Sequence, residues 1–501
     1  MRGSAALTLT ASCLIAAVWL SANSQSAPQA PRAGAVTFTE HIAPILYDNC
    51  VTCHRPGEAA PFPLISYEDV AKRGPLLAEV TKSRYMPPWH AEPGFGDFAD
   101  ERRLTDAQIE SIGAWVKAGM PRGNAARMPK LPTFTEGWQL GQPDLVLEMS
   151  EAFDVPADGP DVYRNFAIPS GTTEDKWIRA VEFRPGARRV VHHALFGFAR
   201  GGAVAQLIPS DGKPGFGGAM PVRFIPAFAP AGDLGGWAVG TTPRFLSENL
   251  SWTMNKGSDV ILQLHLHPTG KAEKERSKIG LYFASTPPPR KVRETMAPGL
   301  FGALANIDIP AGEKAYVVKG TARTFVNMRA YSVLAHAHYL GKEMKAIATF
   351  PDGTTKPMLW IKDWDFSWQD RYVYKQPVDL PKGTKIDVTI TYDNSADNPH
   401  NPCSPPRRVR FGVQSYDEMG AVVFQTMTSS DADEKALDEF NAAIAKAVVK
   451  QVQESETVKR LQDEQRQYKA GVAPPVGCGP PVPALASSAA SPLFARPGAR
   501  R

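Results

Sequence analysis

Val260-Ile261-Leu262-Gln263-Leu264-His265 is a short run rich in apolar and β-branched residues, with no Gly or Pro inside it. It reads as a strand. Lys385-Ile386-Asp387-Val388-Thr389-Ile390-Thr391-Tyr392 alternates apolar and polar residues at period two behind the turn signal Pro381-Lys382-Gly383. That is the pattern of a half-buried strand. The 501 residues include 45 Pro and 41 Gly, without Gly at every third position. Collagen is excluded, and long helices are disfavoured through the middle of the chain. Length suggests about three domains. Residues from about 126 onward then read as two β-sandwiches, 135–295 and 300–430, with the break just after Pro287-Pro288-Pro289.

The flanks have a different texture. Within 37–125, Leu104 to Val116 carries Ile109, Ile112 and Val116 at helical spacing, with Thr105 as N-cap and Gly119-Met120-Pro121 as the stop. Residues 431–468 form a charged helix with the stripe Leu437, Phe440, Ile444, Val448 and Val452. Residues 471–501, rich in Pro, Ala and Ser and without acids, read as a disordered tail. At the start, Arg2, the apolar run Ala5–Leu20 and small residues at Ala22 and Ser24 read as a signal peptide over 1–24, cut before Gln25. The mature chain is then periplasmic or secreted, with no membrane span. The formal charge of +5 resides mostly in Arg2, Arg496, Arg500 and Arg501. A near-neutral body lacks the basic footprint of a nucleic-acid binder.

Of the five cysteines, Cys13 lies in the leader, and Cys403 and Cys478 are available for a disulfide in an oxidising compartment. The other two lie in Cys50-Val51-Thr52-Cys53-His54. Two thiols three positions apart can form thioethers to haem vinyls, and the next imidazole can reach the iron. No second C-x-x-C follows, which disfavours zinc. Met86, in the Pro-flanked Arg84-Tyr85-Met86-Pro87-Pro88-Trp89-His90, is the favoured sixth ligand; His90 and Met120 are rivals. From Thr37 to Gly123 the chain resembles a class I cytochrome c. The expected fold class is therefore an N-terminal all-α cytochrome c domain, two all-β, jelly-roll-like sandwiches and a C-terminal helix.

Six of the ten histidines fall in three close pairs: His192-His193, His265-x-His267 and His336-x-His338. On a strand, residues i and i+2 face one side, so His-x-His offers two imidazoles to one point. Adjacent His192 and His193 can share an ion only at a strand end or a bulge. Imidazole suits Cu, Zn, Fe or Ni, and an added thioether favours copper. Met419, in Tyr416-Asp417-Glu418-Met419-Gly420, is the candidate thioether.

Val190-Val191-His192-His193-Ala194-Leu195-Phe196-Gly197-Phe198, Leu262-Gln263-Leu264-His265, Ala335-His336-Ala337-His338-Tyr339-Leu340-Gly341-Lys342 and Asp417-Glu418-Met419 occur in that order. Together they resemble the motifs of the copper type II, ascorbate-dependent monooxygenases, the family of peptidylglycine α-hydroxylating and dopamine β-monooxygenases. The resemblance implies two coppers. His192, His193 and His265 would hold the electron-transfer copper, and His336, His338 and Met419 the one that binds O₂. His267 would be an outer group, or would replace His265 if the register slips.

In the peptide-processing members, an Arg two residues before His-x-His holds a substrate carboxylate; here that position is Leu334. Their Asn and Tyr beyond the methionine are Ala421 and Val423. Loss of this clamp implies a more apolar small substrate. The expected function is an exported haem c- and copper-containing monooxygenase that hydroxylates a C–H bond with O₂, the tethered haem relaying electrons from an upstream donor. The alternative is a non-catalytic electron-transfer or copper-binding protein. His400 reads as a solvated loop residue. Trp360, Trp364 and Trp368 read as core or edge aromatics that could line a substrate face.

Overall fold

Along Lys385–Tyr392 the period-two pattern becomes one-sided burial: Ile386, Val388, Ile390 and Tyr392 are buried, and the residues between them are partly exposed. The strand pairs antiparallel with Tyr316–Arg323 on one side and Gly341–Thr349 on the other; Thr355–Ile361 completes that sheet. A second four-stranded sheet has the order Arg293–Ala297, Gly420–Thr428, Met328–Ala337, Arg371–Leu380. The two share one core, with Met344, Ile386 and Ile390 on one side and Ala330, Val422 and Phe424 on the other.

Asp259–Leu266 is buried along its whole length. Leu262, Leu264 and Leu266 face the core, so Gln263 and His265 lie on the opposite face. This strand is the centre of a five-stranded sheet in the order Phe216–Gly217, Val162–Pro169, Asp259–Leu266, Val191–Ala199, Asp233–Ala238. Its partner sheet runs Leu145–Glu148, Lys278–Phe283, Lys176–Arg184, Leu250–Met254, Arg290–Lys291. Each core Leu or Ile removed from water contributes about 1.5–3 kcal/mol.

The chain passes from the first sheet pair to the second within a few residues. Arg290 and Lys291 pair in parallel with Leu250 and Ser251, while Arg293–Ala297 pairs with Val422–Thr426. The structure, a computed structural model, describes residues 36–460 and Cys478, except residues 59, 136, 160, 204–211, 218–232, 248, 249, 413, 414 and 458. The expected leader at 1–24 lies outside the described residues, as does the tail at 471–501 apart from Cys478.

The expected fold class needs correction. Among the described residues the molecule is mostly β, built on four sheets of four or five strands and two two-stranded ones, and no separate N-terminal all-α cytochrome c domain followed by jelly-roll domains is present. The N-terminal helices are short: Phe38–Ile42, Ala43–Asn49, Tyr67–Ala71, Gly74–Lys82 and Asp106–Lys117. The last has the Thr105 cap, with a capping box to Gln108. Between Lys82 and Asp106 the chain is irregular, because Pro87, Pro88, Pro93, Gly94 and Gly96 leave no room for a helix. That stretch joins the second sheet pair. Glu92 N donates to Trp360 O at 2.7 Å, Ala99 N to Val373 O at 2.8 Å, and Lys375 N to Asp97 O at 2.8 Å. Ala91 and Phe98 belong to the second core, with Phe98 stacked on Tyr374 at 5.0 Å.

The terminal helix, Asp431–Glu454, docks through buried Leu437 and through Phe440 stacked on Phe325 at 3.9 Å. Cys403 and Cys478 form a disulfide. Among the described residues, no helix is long and apolar enough to cross a membrane.

Candidate metal centre

His193 and His265 are directly opposite each other on neighbouring strands, and the register shifts between Val191 and His193. His192 is therefore the extra residue of a β-bulge. The bulge turns a side chain that a regular strand would send to the other face back toward His193. The Nδ1 atoms of His192 and His193 lie 3.1 Å apart, and those of His193 and His265 lie 3.3 Å apart. One tetrahedral ion with three nitrogens at 2.0–2.1 Å would hold them about 3.3–3.4 Å apart, close to these separations. The three offer ligand atoms all within 4.8 Å of one another. Burial, followed by the neighbouring His265, brings His192 down to about 3 and holds His193 well below its ordinary value. Both rings are therefore neutral at physiological pH, as metal ligands must be.

Asp161 sets the third ring. His265 Nε2 donates to Asp161 Oδ2 at 2.7 Å, so the His265 lone pair resides on Nδ1, toward the other two histidines. Tyr163 stacks on the same ring at 4.3 Å. His267 Nδ1 donates to Asp161 Oδ1 at 2.7 Å, which raises the His267 pKa. Burial alone would raise Asp161; its bonds to His265 and His267 outweigh that and hold it well below the usual carboxylate range. The structure brings His265 to His192 and His193, and leaves His267 outside them.

His336 and His338 lie at the end of Met328–Ala337, with ring centroids 5.3 Å apart. Ala337 pairs with Gly420, so His338 and Met419 are the next residues along the two strands. Gln369 Nε2 donates to Phe366 O, which makes its Oε1 an acceptor. His336 Nδ1 donates to that oxygen at 2.6 Å. His338 Nδ1 donates to the carbonyl of Asp417 at 3.0 Å. In both rings the lone pair then resides on Nε2. Buried Glu418 clamps the corner, accepting from the backbone N–H groups of His338, Leu340 and Met419. Its burial raises its carboxyl to about 8 against the pull of those donors. His336, His338 and Met419 thus lie together at one strand end, with donor types that suit copper.

The two histidine groups face each other across one ring. Phe366 lies 5.6 Å from His192 and 5.9 Å from His265 on one side, and 5.8 Å from His338 and 4.4 Å from Tyr339 on the other. Trp364 Nε1 donates to the His338 carbonyl, and Trp360 Nε1 to Glu343. Leu334 is paired with Arg371 on the next strand.

Cys50 and Cys53 are not bonded to each other, and both Cys53 N and His54 N donate to Cys50 O in one tight turn. Burial raises the Cys50 thiol to about 12. His54 Nδ1 donates to Phe62 O at 3.0 Å, which leaves Nε2 as the basic nitrogen. Two free thiols and an oriented imidazole fit covalent haem attachment. Met86 borders a cavity of about 730 Å³ with His90, His192, His265 and His400, and Cys53 borders a second cavity. Met120 packs in the same core as Cys50. Sequence reasoning did not find Asp161, Phe366 or Gln369. Each is an unremarkable residue in sequence, far from the histidine it touches.

No protein-family model matches the chain, and no curated protein matches it. Among solved structures it is similar to the infectious bursal disease virus VP2 subviral particle, at 10% identity over 59% of this chain and 74% of that chain, with a TM-score of 0.16. It is also similar to PBCV-1 VP54 fitted into a reconstruction of the virophage Sputnik, at 8% identity over 60% of this chain and 97% of that chain, with a TM-score of 0.18. Likenesses at these scores carry no argument about function.

Proposed function

We propose that this chain is an exported copper-dependent monooxygenase that hydroxylates a C–H bond of a small organic substrate with O₂. One copper is held by His192, His193 and His265, the other by His336, His338 and Met419. A haem attached to Cys50 and Cys53, with His54 as ligand, relays electrons from an upstream donor. The observation that carries the reading is the gathering of three imidazoles, with the Nδ1 atom of His193 3.1 Å from that of His192 and 3.3 Å from that of His265. Copper supplies O₂ activation and electron storage. The protein groups supply orientation. Asp161 fixes the His265 tautomer, Gln369 and the Asp417 carbonyl fix those of His336 and His338, and Glu418 pins the backbone that carries Met419. Phe366 stands between the groups, its ring against those of His192 and His338.

The test is metal and haem content of protein matured in an exporting host, followed by a substrate screen under O₂. One haem, two coppers and an O₂-dependent hydroxylated product are expected. Protein that takes up no copper after reconstitution with Cu(I) overturns the reading.

A further inference from the structure

A second cavity, of about 290 Å³, lies where the segment carrying Cys53 meets the first sheet pair and strand Arg371–Leu380. Its wall holds five guanidinium groups against two carboxylates. Glu58 is shared by Arg55 and Arg188, and Arg244 pairs with Asp100 outside the cavity. Glu182 already accepts from Gln139 N, Leu140 N and the Tyr282 hydroxyl. If Glu182 is nonetheless assigned to Arg184, Arg371 still has no carboxylate within ion-pair distance among the described residues; Asp370, which supports its charge from farther off, is paired with Arg102. The Arg371 guanidinium contacts the neutral Gln425 Oε1 at 3.3 Å. Trp252, 7% exposed, borders the same cavity, and its Nε1 donor is buried without an acceptor. A half-buried guanidinium with no carboxylate in ion-pair reach and an orphaned indole N–H are each costly. One ligand chemistry satisfies both. A planar carboxylate can accept from the guanidinium and from the indole, and the Thr241 and Thr242 hydroxyls on the same wall add further donors.

We infer that this cavity is an oxyanion site that takes a carboxylate, with Arg371 and Trp252 as its principal donors. Two sources carry that group: the propionate of a haem tethered at Cys53, or a free carboxylate ligand. The site stands on the cavity and not on the copper assignment, so a His265→Ala chain keeps it.

The experiment is calorimetric titration of the full chain with succinate, and with inorganic phosphate in parallel. It is run on haem-bearing protein and on a Cys50→Ser/Cys53→Ser chain that cannot tether haem. Saturable one-to-one binding of succinate is expected in at least one form. Arg371→Gln should weaken it by about tenfold or more, and Trp252→Phe by less. Succinate binding confined to the untethered chain assigns the site to the propionate; equal binding in both forms assigns it to a free ligand. Arg371→Gln should also leave the ligand-free chain at least as stable as the parent, because it removes a half-buried charge that has no carboxylate in ion-pair reach. That readout separates a ligand site from a structural guanidinium. Absence of succinate binding in both forms overturns the inference, as does unchanged binding in Arg371→Gln.

Discussion

His265 Nε2 and Asp161 Oδ2 are 2.7 Å apart, and the bond determines which His265 nitrogen meets the other two histidines. Replacing the carboxylate with an amide keeps the shape and removes the charge that holds the tautomer. Asp161→Asn should therefore keep the first copper but bind it about 10–100-fold more weakly. His265→Ala should lose it, with total copper falling from two per chain to one. Competition against a chelator, with elemental analysis, checks both. Equal affinity in Asp161→Asn would show that the carboxylate does not orient the ligand.

Met419 and His338 sit side by side just past the Ala337–Gly420 pair. Met419→Leu is nearly volume-conserving and should cost less than about 1.5 kcal/mol of stability. Without the thioether, O₂-dependent product should fall by about tenfold or more, while the Cu(II) spectrum of the His192–His193–His265 site stays unchanged. A variant as active as the parent would remove Met419 from the ligand set.

Phe98 ties the N-terminal segment to the second sheet pair by stacking on Tyr374 at 5.0 Å and packing on Tyr372 at 5.3 Å. Phe98→Ala should cost about 3–5 kcal/mol in denaturant unfolding. It should also expose residues 89–104 to limited proteolysis. Unchanged stability and protease resistance would contradict this docking.

Glu418 has its folded pKa raised to about 8, above its unfolded value, so the folded state holds the extra proton. Its contribution to stability is present below the ordinary carboxylate pKa and is lost as pH rises through 8. His192 and His193, lowered in the folded state, act oppositely, but only below their ordinary value near 6.5. Between about pH 6.5 and 8 the metal-free chain should therefore lose stability with rising pH, by up to about 1 kcal/mol per unit. Glu418→Gln should reduce that slope, leaving the part that His267, raised by Asp161, contributes with the same sign. Denaturation midpoints measured across the window decide it; a slope unchanged in Glu418→Gln places its origin elsewhere.

Local pattern was legible wherever one residue's neighbours decide its conformation. The Lys385–Tyr392 alternation fixed a burial face, and Thr105 marked a helix start. The histidine pairs were visible as types and spacings. What covers an element was not legible. The helices of 38–117 have periodicity that fits a closed all-α unit, but Phe98 finds its partners on a strand about 270 residues later.

The sequence alone determined which side chains with metal chemistry the chain carries, and that its middle is made of strands, because side-chain type and period-two patterning are properties of adjacent residues. Only the tertiary structure decided that a bulge turns His192 toward His193, that His265 rather than His267 joins them, and that Phe366 stands between the two histidine groups. It also placed Asp161 on His265 from 104 residues away, and Arg371 beside Leu334. Register, bulges and the meeting of two sheet pairs are set by packing over the whole chain, and no short stretch of sequence contains them.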